Sequence, residues 1–146
     1  MSLDGAYDEA NIFAKILRGE LPCHKIYEDD VALAFLDLFP QSPGHALVLP
    51  KAASRNLFDT DDAVLADLIT RVKTVAAGVR AALQPDGIVI TQFNGAPAGQ
   101  TVFHLHFHII PRYEGVALGR HGGDGGRADD AALAELAEKI AAAIGG

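Results

Sequence analysis

Three histidines, His104, His106 and His108, alternate with large apolar residues near the middle of the second half of the chain. In an extended strand this period of two puts the imidazoles on one face and Phe103, Leu105, Phe107 and Ile109 on the other. Each imidazole has two ring nitrogens that need polar partners, so core packing alone does not account for three in succession. The pattern predicts that one face of this strand carries chemistry and the other packs in the core.

Two classes of chemistry are compatible with the histidines alone. Neutral imidazoles can bind a metal, but same-face residues of a strand lie ~6.6 Å apart, so His104 and His108, ~13 Å apart, are at the limit for sharing one ion through ~2 Å bonds. Two of the three could share a metal, with a third ligand from elsewhere. The other class is nucleophilic or acid–base catalysis by imidazole, which needs one ring held in a defined tautomer and another that donates a proton.

The loop before the histidines favours contact with phosphate. Asn94, Gly95, Gly99, Gln100 and Thr101 provide amide and hydroxyl donors and a flexible backbone there, a composition suited to binding phosphate oxygens. The alternative to phosphate binding is that the glycines only form a turn.

Composition limits the ligands and the compartment. The 146 residues include 12 Lys and Arg against 19 Asp and Glu, a net charge of −7. This acidic balance argues against electrostatic binding of polymeric nucleic acid or anionic lipid, but not against a small nucleotide. Cys23 is the single cysteine, which excludes an intramolecular disulfide and indicates a reducing compartment. With neither a signal-peptide pattern nor a long apolar segment, we expect a cytoplasmic protein.

Hydrophobic periodicity predicts an α+β fold with a five-stranded, mostly antiparallel sheet and two main helices packed on it. A short helix follows Asn11, a long helix begins near Asp59 or Thr60 and ends before Pro85, and the last helix spans 129–144. The predicted strands are 25–28, 31–37, 45–49, 88–93 and 101–110. We divide the chain into a flexible leader (1–10), a main domain (11–112) and a C-terminal part (113–146), whose Gly-rich segment 122–126 is expected to be a mobile loop.

The alternating histidines and several segments before them resemble the histidine triad (HIT) superfamily, most closely its Hint-like branch. The signature His-φ-His-φ-His-φ-φ, with φ hydrophobic, matches 104–110, and similar segments occur in the same order at 12–16, 19–22, 26–30, 34–37 and 44–51. The resemblance implies a nucleotide hydrolase or nucleotidyl transferase that cleaves at a nucleoside α-phosphate through a covalent nucleotidyl-histidine. It also implies a homodimer.

The resemblance also implies roles for individual residues. His106 would be the nucleophile; His108 would contact the phosphoryl oxygens or protonate the leaving group, while His104 and His45 orient the cluster and Thr101 lies beside the leaving group. The nucleotide would be bound by apolar residues around the base, by Asp37 at the ribose and by the loop at the phosphate: Ile12, Phe13, Ile16, Phe35, Asp37, Asn94, Gly99, Gln100 and Val102. The expected ligand is a small purine nucleotide: a nucleoside phosphoramidate, an adenylated small molecule or a dinucleoside polyphosphate.

One departure from the family concerns zinc. Many bacterial relatives hold a structural zinc with a Cys-x-x-Cys near the first helix, a histidine after the Pro-Lys segment and the first triad histidine. Asn11, Ala14 and Ser54 stand at the first three of these positions, so we predict no structural zinc, no metal ligands and no cofactor. Two alternatives stay open: a nucleotide-binding sensor or regulatory protein without turnover, and a metal-dependent enzyme.

Overall fold

The structure, a computed structural model, describes residues 2–118 and 127–145. Its five strands are β1 (Lys25–Glu28), β2 (Ala32–Leu36), β3 (Ala46–Pro50), β4 (Gly87–Thr91) and β5 (Phe107–Arg112). They form one sheet in the order β1-β2-β3-β5-β4, and every pairing between neighbours is antiparallel. The predicted fold class is confirmed, and β4 lies at one edge of the sheet.

The helices begin and end at recognisable sequence signals. Helix α1 (Ile12–Leu17) is capped by Asn11, whose side-chain oxygen accepts from the Ala14 N–H. Helix α2 spans Asp62–Leu83 and helix α3 spans Asp130–Gly145; a short 3₁₀ turn covers Ala96–Ala98. Helix α2 starts later than predicted because Asp59 and Thr60 instead close the preceding turn, where they bond the backbone of Arg55 and Asn56.

The two faces of the sheet have different partners. Helices α2 and α3 cover one face and bury the main core, whose sheet side includes Ala34, Leu36, Ala46, Val48 and Ile109. The opposite face carries a smaller apolar cluster, in which Phe13 from α1 packs with Leu33, Phe35, Leu47 and Leu49. The alternation along β2 and β3 thus supplies residues to both faces at once.

The last strand is shorter than predicted. Strand β5 begins at Phe107, so His104 and His106 lie in the irregular segment before it. Strand pairing ends at Val48 opposite Phe107 in β3 and at Thr91 opposite His108 in β4, and beyond Val48 the Pro50 carbonyl bonds the His104 side chain. Leu105, Phe107 and Ile109 pack in the main core as expected, whereas the Phe103 ring lies under the guanidinium of Arg55, 4.3 Å from its centre.

Residues before α1 contact the domain at several points. The backbone carbonyl of Ser2 accepts from Arg55, that of Leu3 accepts from Asn56, and the Tyr7 hydroxyl reaches His104. The domain boundaries stay a prediction. The expected mobile loop at 122–126 lies outside the described residues. Across the ranges that the structure describes, none of the helices has the length and apolar character needed to span a membrane.

Candidate active site

A cavity of about 220 Å³ opens on the α1 face of the sheet, next to the histidines. Nine of the residues predicted from sequence line it: Ile12, Phe13, Ile16, Phe35, Asp37, Thr101, Val102, His106 and His108. Most of the lining residues are apolar, and Asp37, Thr101 and the two histidines supply charged or polar side chains. The cavity therefore combines an apolar slot with a small set of convergent polar side chains, as ligand sites in proteins do.

The ring of His106 is held by its own neighbourhood. Its Nδ1 lies 2.7 Å from the backbone carbonyl oxygen of His104, and a carbonyl can only accept, so Nδ1 carries the proton. In the neutral ring the lone pair is then on Nε2. Phe13 packs edge-on against the ring with the centroids 4.8 Å apart, and the His108 ring lies 5.0 Å away. These contacts fix both the tautomer and the direction of the imidazole.

His108 belongs to a chain of hydrogen bonds that starts in the loop before β3. The backbone N–H of Gln41 donates to His45 Nδ1 over 3.0 Å, so the proton of the neutral His45 ring is on Nε2. That nitrogen lies 3.0 Å from His108 Nδ1 and 3.5 Å from an Asp37 carboxylate oxygen. His108 Nδ1 must therefore accept, which places the His108 proton on Nε2.

A tight turn sets His45 in this position. Gly44 has a φ of 92°, and a Cβ there would lie 2.3 Å from Leu83 Cδ1, so a side chain at residue 44 would strain the turn and clash with the end of α2. The His45 N–H donates to the Ser42 carbonyl, and the His45 carbonyl accepts from the Asp37 N–H. The loop therefore brings Asp37, Gln41 and His45 together.

His104 lies outside the cavity and is completely buried. Its Nε2 donates to the Pro50 carbonyl over 2.8 Å, and its Nδ1 accepts from the Tyr7 hydroxyl over 2.6 Å. Burial lowers the pKa of this imidazole below its usual value, an effect that the Pro50 carbonyl partly offsets. His104 is thus held neutral, with both ring nitrogens hydrogen-bonded.

Three residues predicted at the phosphate end lie beside the cavity without lining it. Gln100 is buried, and its side chain bonds the backbone of Arg55, Val102 and Gly95. Asn94 accepts from the Leu57 N–H and pairs with Gln92. Gly99 has a φ of 111°, and a Cβ there would lie 3.5 Å from the Phe93 ring. The contacts that these residues make stabilise the loop, and their role in nucleotide binding stays a prediction.

Sequence reasoning missed several lining residues and one buried contact. Six further residues line the cavity: Pro22, Cys23, Leu36, Leu38, Phe39 and Leu47. Of these, Leu47 could have been found from its place between two core positions of β3. The contact that no local pattern signals is Tyr7 with His104, because the two residues are 97 positions apart.

The described residues contain one group of three side chains close enough to hold a metal ion. Ligand atoms of Asp37, His45 and His108 all lie within 4.8 Å of one another. This group differs from the triad, since it includes only the last triad histidine. His45 and His108 are already joined by a hydrogen bond, which a shared ion would have to replace, so we interpret the group as a proton-positioning chain.

The fold and site together define a protein with an antiparallel sheet, an apolar slot and two oriented imidazoles facing it. Comparison of the sequence with protein families matches residues 18–115 to the HIT domain. The chain belongs to the HIT family, and the resemblance inferred from its sequence is confirmed.

Individual relatives agree with this assignment. The chain is 44% identical over 103 residues to adenylylsulfatase HINT3 of Arabidopsis thaliana, a match covering 70% of this chain and 52%, about half, of that protein. It is 44% identical over 101 residues to adenosine 5'-monophosphoramidase hnt1 of Schizosaccharomyces pombe, covering 69% and 73%. A crystal structure of a Hit-like protein of Bartonella henselae superimposes with a TM-score of 0.88 at 49% identity, covering 95% of this chain and 99% of that one.

The zinc site of some HIT relatives does not fit the side chains at the corresponding positions here. Asn11 uses its side-chain oxygen to cap α1, and Ala14 has no donor atom. Ser54 offers only a hydroxyl, whereas zinc prefers thiolate, imidazole or carboxylate ligands. Both nitrogens of His104 are engaged. The absence of a structural zinc stays a prediction that metal analysis of the purified protein would test.

Proposed function

We propose that this protein cleaves nucleotides at the α-phosphate through a covalent nucleotidyl-His106 intermediate. The observation that carries the proposal is the 2.7 Å hydrogen bond from His106 Nδ1 to the His104 carbonyl. It puts the lone pair of the neutral ring on Nε2, the state in which imidazole acts as a nucleophile. Membership in the HIT family supports a nucleotide hydrolase or transferase in general terms, and the oriented ring supports the finer assignment.

In the first step, the His106 Nε2 lone pair forms a bond to the α-phosphorus. The bond from phosphorus to the leaving nitrogen or oxygen breaks, and its electron pair stays on the leaving atom. Thr101 is exposed and lines the cavity, and we assign to it the relay of a proton from water to that atom. The Nε2–H of His108 donates to a phosphoryl oxygen and stabilises the charge that develops there. Loss of that proton would leave an imidazolate, so donation without transfer is the favoured role.

In the second step, a water oxygen bonds to phosphorus and the phosphorus–nitrogen bond to His106 breaks. The electron pair returns to Nε2, the water proton returns to solvent, and a nucleoside monophosphate is released. Asp37, 3.5 Å from His45 Nε2, provides negative charge behind the imidazole chain and holds its orientation. The groups that act in the two proposed steps are side chains of this protein and water.

The apolar end of the cavity suits a nucleobase. Phe13 and Phe35 meet edge-on with centroids 5.5 Å apart, and Ile12 and Ile16 line the same cavity. Aromatic and branched side chains can pack on both faces of a planar ring. Asp37 lines the same cavity, at a place from which its carboxylate could accept from ribose hydroxyls.

The substrates that we propose are adenylylated compounds with a nitrogen or oxygen leaving group. Two of the relatives have names that state an activity, an adenylylsulfatase and an adenosine 5'-monophosphoramidase, which supports an adenosine monophosphate unit and leaves the leaving group open. We therefore propose adenosine phosphoramidate as the first substrate, and diadenosine tetraphosphate as the second.

The test measures release of AMP from both compounds, with and without EDTA, by wild-type protein and by His106→Ala. We expect chelator-resistant turnover that the substitution abolishes. Rapid-quench mass spectrometry of the wild-type protein should detect one added adenylyl group on His106. AMP release without such an adduct, and undiminished in His106→Ala, would overturn the proposal.

The same assay separates the two alternatives. If AMP binds but neither compound turns over, a sensor or regulatory role without catalysis takes precedence. If EDTA removes the activity and a divalent cation restores it, the metal-dependent alternative is favoured, with Asp37, His45 and His108 as the first ligands to substitute.

We further propose a homodimer that pairs through β4. This strand lies at the edge of the sheet, and its Val89 and Ile90 are 39% and 46% exposed, on opposite faces. An exposed apolar edge strand is prone to pair with another chain. Light scattering should give twice the chain mass, and Ile90→Lys should reduce it to one chain. A monomeric wild-type protein would contradict this.

A further inference from the structure

Tyr7 forms a hydrogen bond with the first triad histidine and has no part in the reaction steps above. It precedes α1, in a part of the chain predicted from sequence to be a leader, yet its hydroxyl lies 2.6 Å from His104 Nδ1. The two rings meet edge-on, with centroids 5.6 Å apart and planes inclined by 68°. The contact is therefore a directed hydrogen bond supported by ring packing.

The direction of this hydrogen bond is determined by the other ring nitrogen. Because His104 Nε2 faces the Pro50 carbonyl, it carries the proton and Nδ1 accepts. The Tyr7 hydroxyl must then be the donor. A buried imidazole nitrogen without a partner would be destabilising, so Tyr7 satisfies a group that the fold has buried completely.

His104 in turn holds the nucleophile through its main chain. The carbonyl of His104 is the acceptor for His106 Nδ1, so the position of this carbonyl fixes the His106 tautomer. The backbone here is outside the sheet, since β5 starts at Phe107. The anchors around it are the His104 ring, bonded to Tyr7 and Pro50, and the Leu105 N–H, bonded to the Ser54 carbonyl over 2.9 Å.

We propose that Tyr7 is a positioning residue for His106, acting through the His104 ring and backbone carbonyl. The inference deepens the proposed function and rests on His106 as the nucleophile. Tyr7 lies outside the lining of the cavity, so it would affect the rate of adenylyl transfer to His106 without affecting the affinity for the nucleotide.

The test compares Tyr7→Phe with Tyr113→Phe as a matched control. Both substitutions remove a phenol hydroxyl that donates a hydrogen bond, but the Tyr113 hydroxyl donates to the Pro43 carbonyl, and Tyr113 does not line the cavity. We expect Tyr7→Phe to lower the single-turnover rate about tenfold, which corresponds to roughly 1.4 kcal/mol, with the Kd for AMP unchanged. The control should retain the wild-type rate.

A second measurement does not depend on turnover. Nitrogen-15 NMR of the imidazoles should show His106 as the single Nδ1–H tautomer in the wild type and in Tyr113→Phe, and as a mixture of tautomers in Tyr7→Phe. If the wild type turns over no substrate, the proposed function fails, but this spectrum still tests whether Tyr7 positions His106. A mixture already present in the wild type would overturn the inference.

The remaining outcomes also decide the matter. A Tyr7→Phe protein that melts earlier but keeps the wild-type rate and His106 tautomer would show a purely structural role, and equal losses of rate and AMP affinity would also contradict positioning. Rates are compared at a temperature where every variant is folded by circular dichroism.

Tyr7→Trp retains a ring and an N–H donor and should recover part of the rate. A fully folded Tyr7→Trp protein that is no faster than Tyr7→Phe would count against the hydrogen bond.

Discussion

The first histidine of the triad and the last two differ in almost every physical respect. His104 is sealed between Tyr7 and Pro50, both nitrogens bonded and its pKa lowered by burial. His106 and His108 line a cavity with their tautomers set in opposite senses: the proton is on Nδ1 in His106 and on Nε2 in His108. A motif of three identical residues thus divides into one anchor and two rings oriented for reaction.

This difference arises because strand β5 begins at Phe107, between His106 and His108. His108 is inside β5 and is fixed by pairing to Leu47 and Thr91, whereas His104 precedes the strand and must be held by side-chain hydrogen bonds. The hydrogen bonds of the His104 ring fix its backbone carbonyl, and this carbonyl accepts from Nδ1 of the proposed nucleophile His106. Substitutions along the triad should therefore separate effects on rate from effects on stability.

The largest effect should come from His106→Ala. We expect a loss of more than about 10³-fold in turnover, because no other group replaces a covalent nucleophile, with AMP binding by calorimetry largely retained. Loss of binding together with turnover would indicate that His106 is structural, as His104 is, and would remove the contrast between the two ends of the triad.

The next largest effect should come from His45→Leu. Without the Nε2–H of His45, His108 Nδ1 loses its donor, and the proton that faces the phosphoryl oxygens is no longer fixed; loss of one such donor costs about 10²-fold in kcat. His45→Gln, which retains an N–H donor, should recover part of the rate. His24→Gln is the matched control, since His24 pairs with Asp130. An unchanged kcat in His45→Leu would refute the proton-positioning chain.

Asp37→Asn should have a smaller effect, on binding. Asparagine keeps an oxygen for the Phe39 N–H, which Asp37 now binds over 2.8 Å, but weakens acceptance from ribose hydroxyls. We expect the Kd for AMP to rise about tenfold, in line with a hydrogen bond to a charged group, and the Kd for deoxyadenosine monophosphate to change little. Equal losses for the two nucleotides would contradict the ribose assignment.

Sequence reasoning succeeded where the pattern is local or periodic. The Asn11 cap and the apolar runs of β2 and β3 helped to predict the elements and the class of fold. The family resemblance carried by the triad signature pointed to nine residues that line the cavity. It failed on the extent of β5, because strand ends depend on partners that are remote in sequence. It could not find Tyr7 for the same reason, and it did not predict that Gln100 would bond within its own loop.

Acid should destabilise the protein through His104. Burial lowers its folded pKa below the ordinary value of 6.5, so the unfolded chain binds the proton more readily. Well above pH 6.5 the imidazole is neutral in both states; as the pH falls through that value the free energy of unfolding decreases, by at most about 1.4 kcal/mol per pH unit. Denaturant unfolding of wild type and His104→Gln between pH 5 and 8 should give a shallower slope for the variant. Parallel slopes would contradict a neutral, buried anchor.

Ser54→Ala should have the smallest effect and probes the same sealed region. The Ser54 hydroxyl is buried and has no hydrogen-bond partner among the described residues, although the carbonyl of the same residue accepts from Leu105. Alanine removes the unsatisfied hydroxyl and keeps the carbonyl. The free energy of unfolding should therefore stay the same or rise by up to about 1 kcal/mol, with turnover unchanged. A clear loss of stability would mean that this hydroxyl has a bonding role at the His104 end of the triad, and that the anchor includes more than Tyr7 and Pro50.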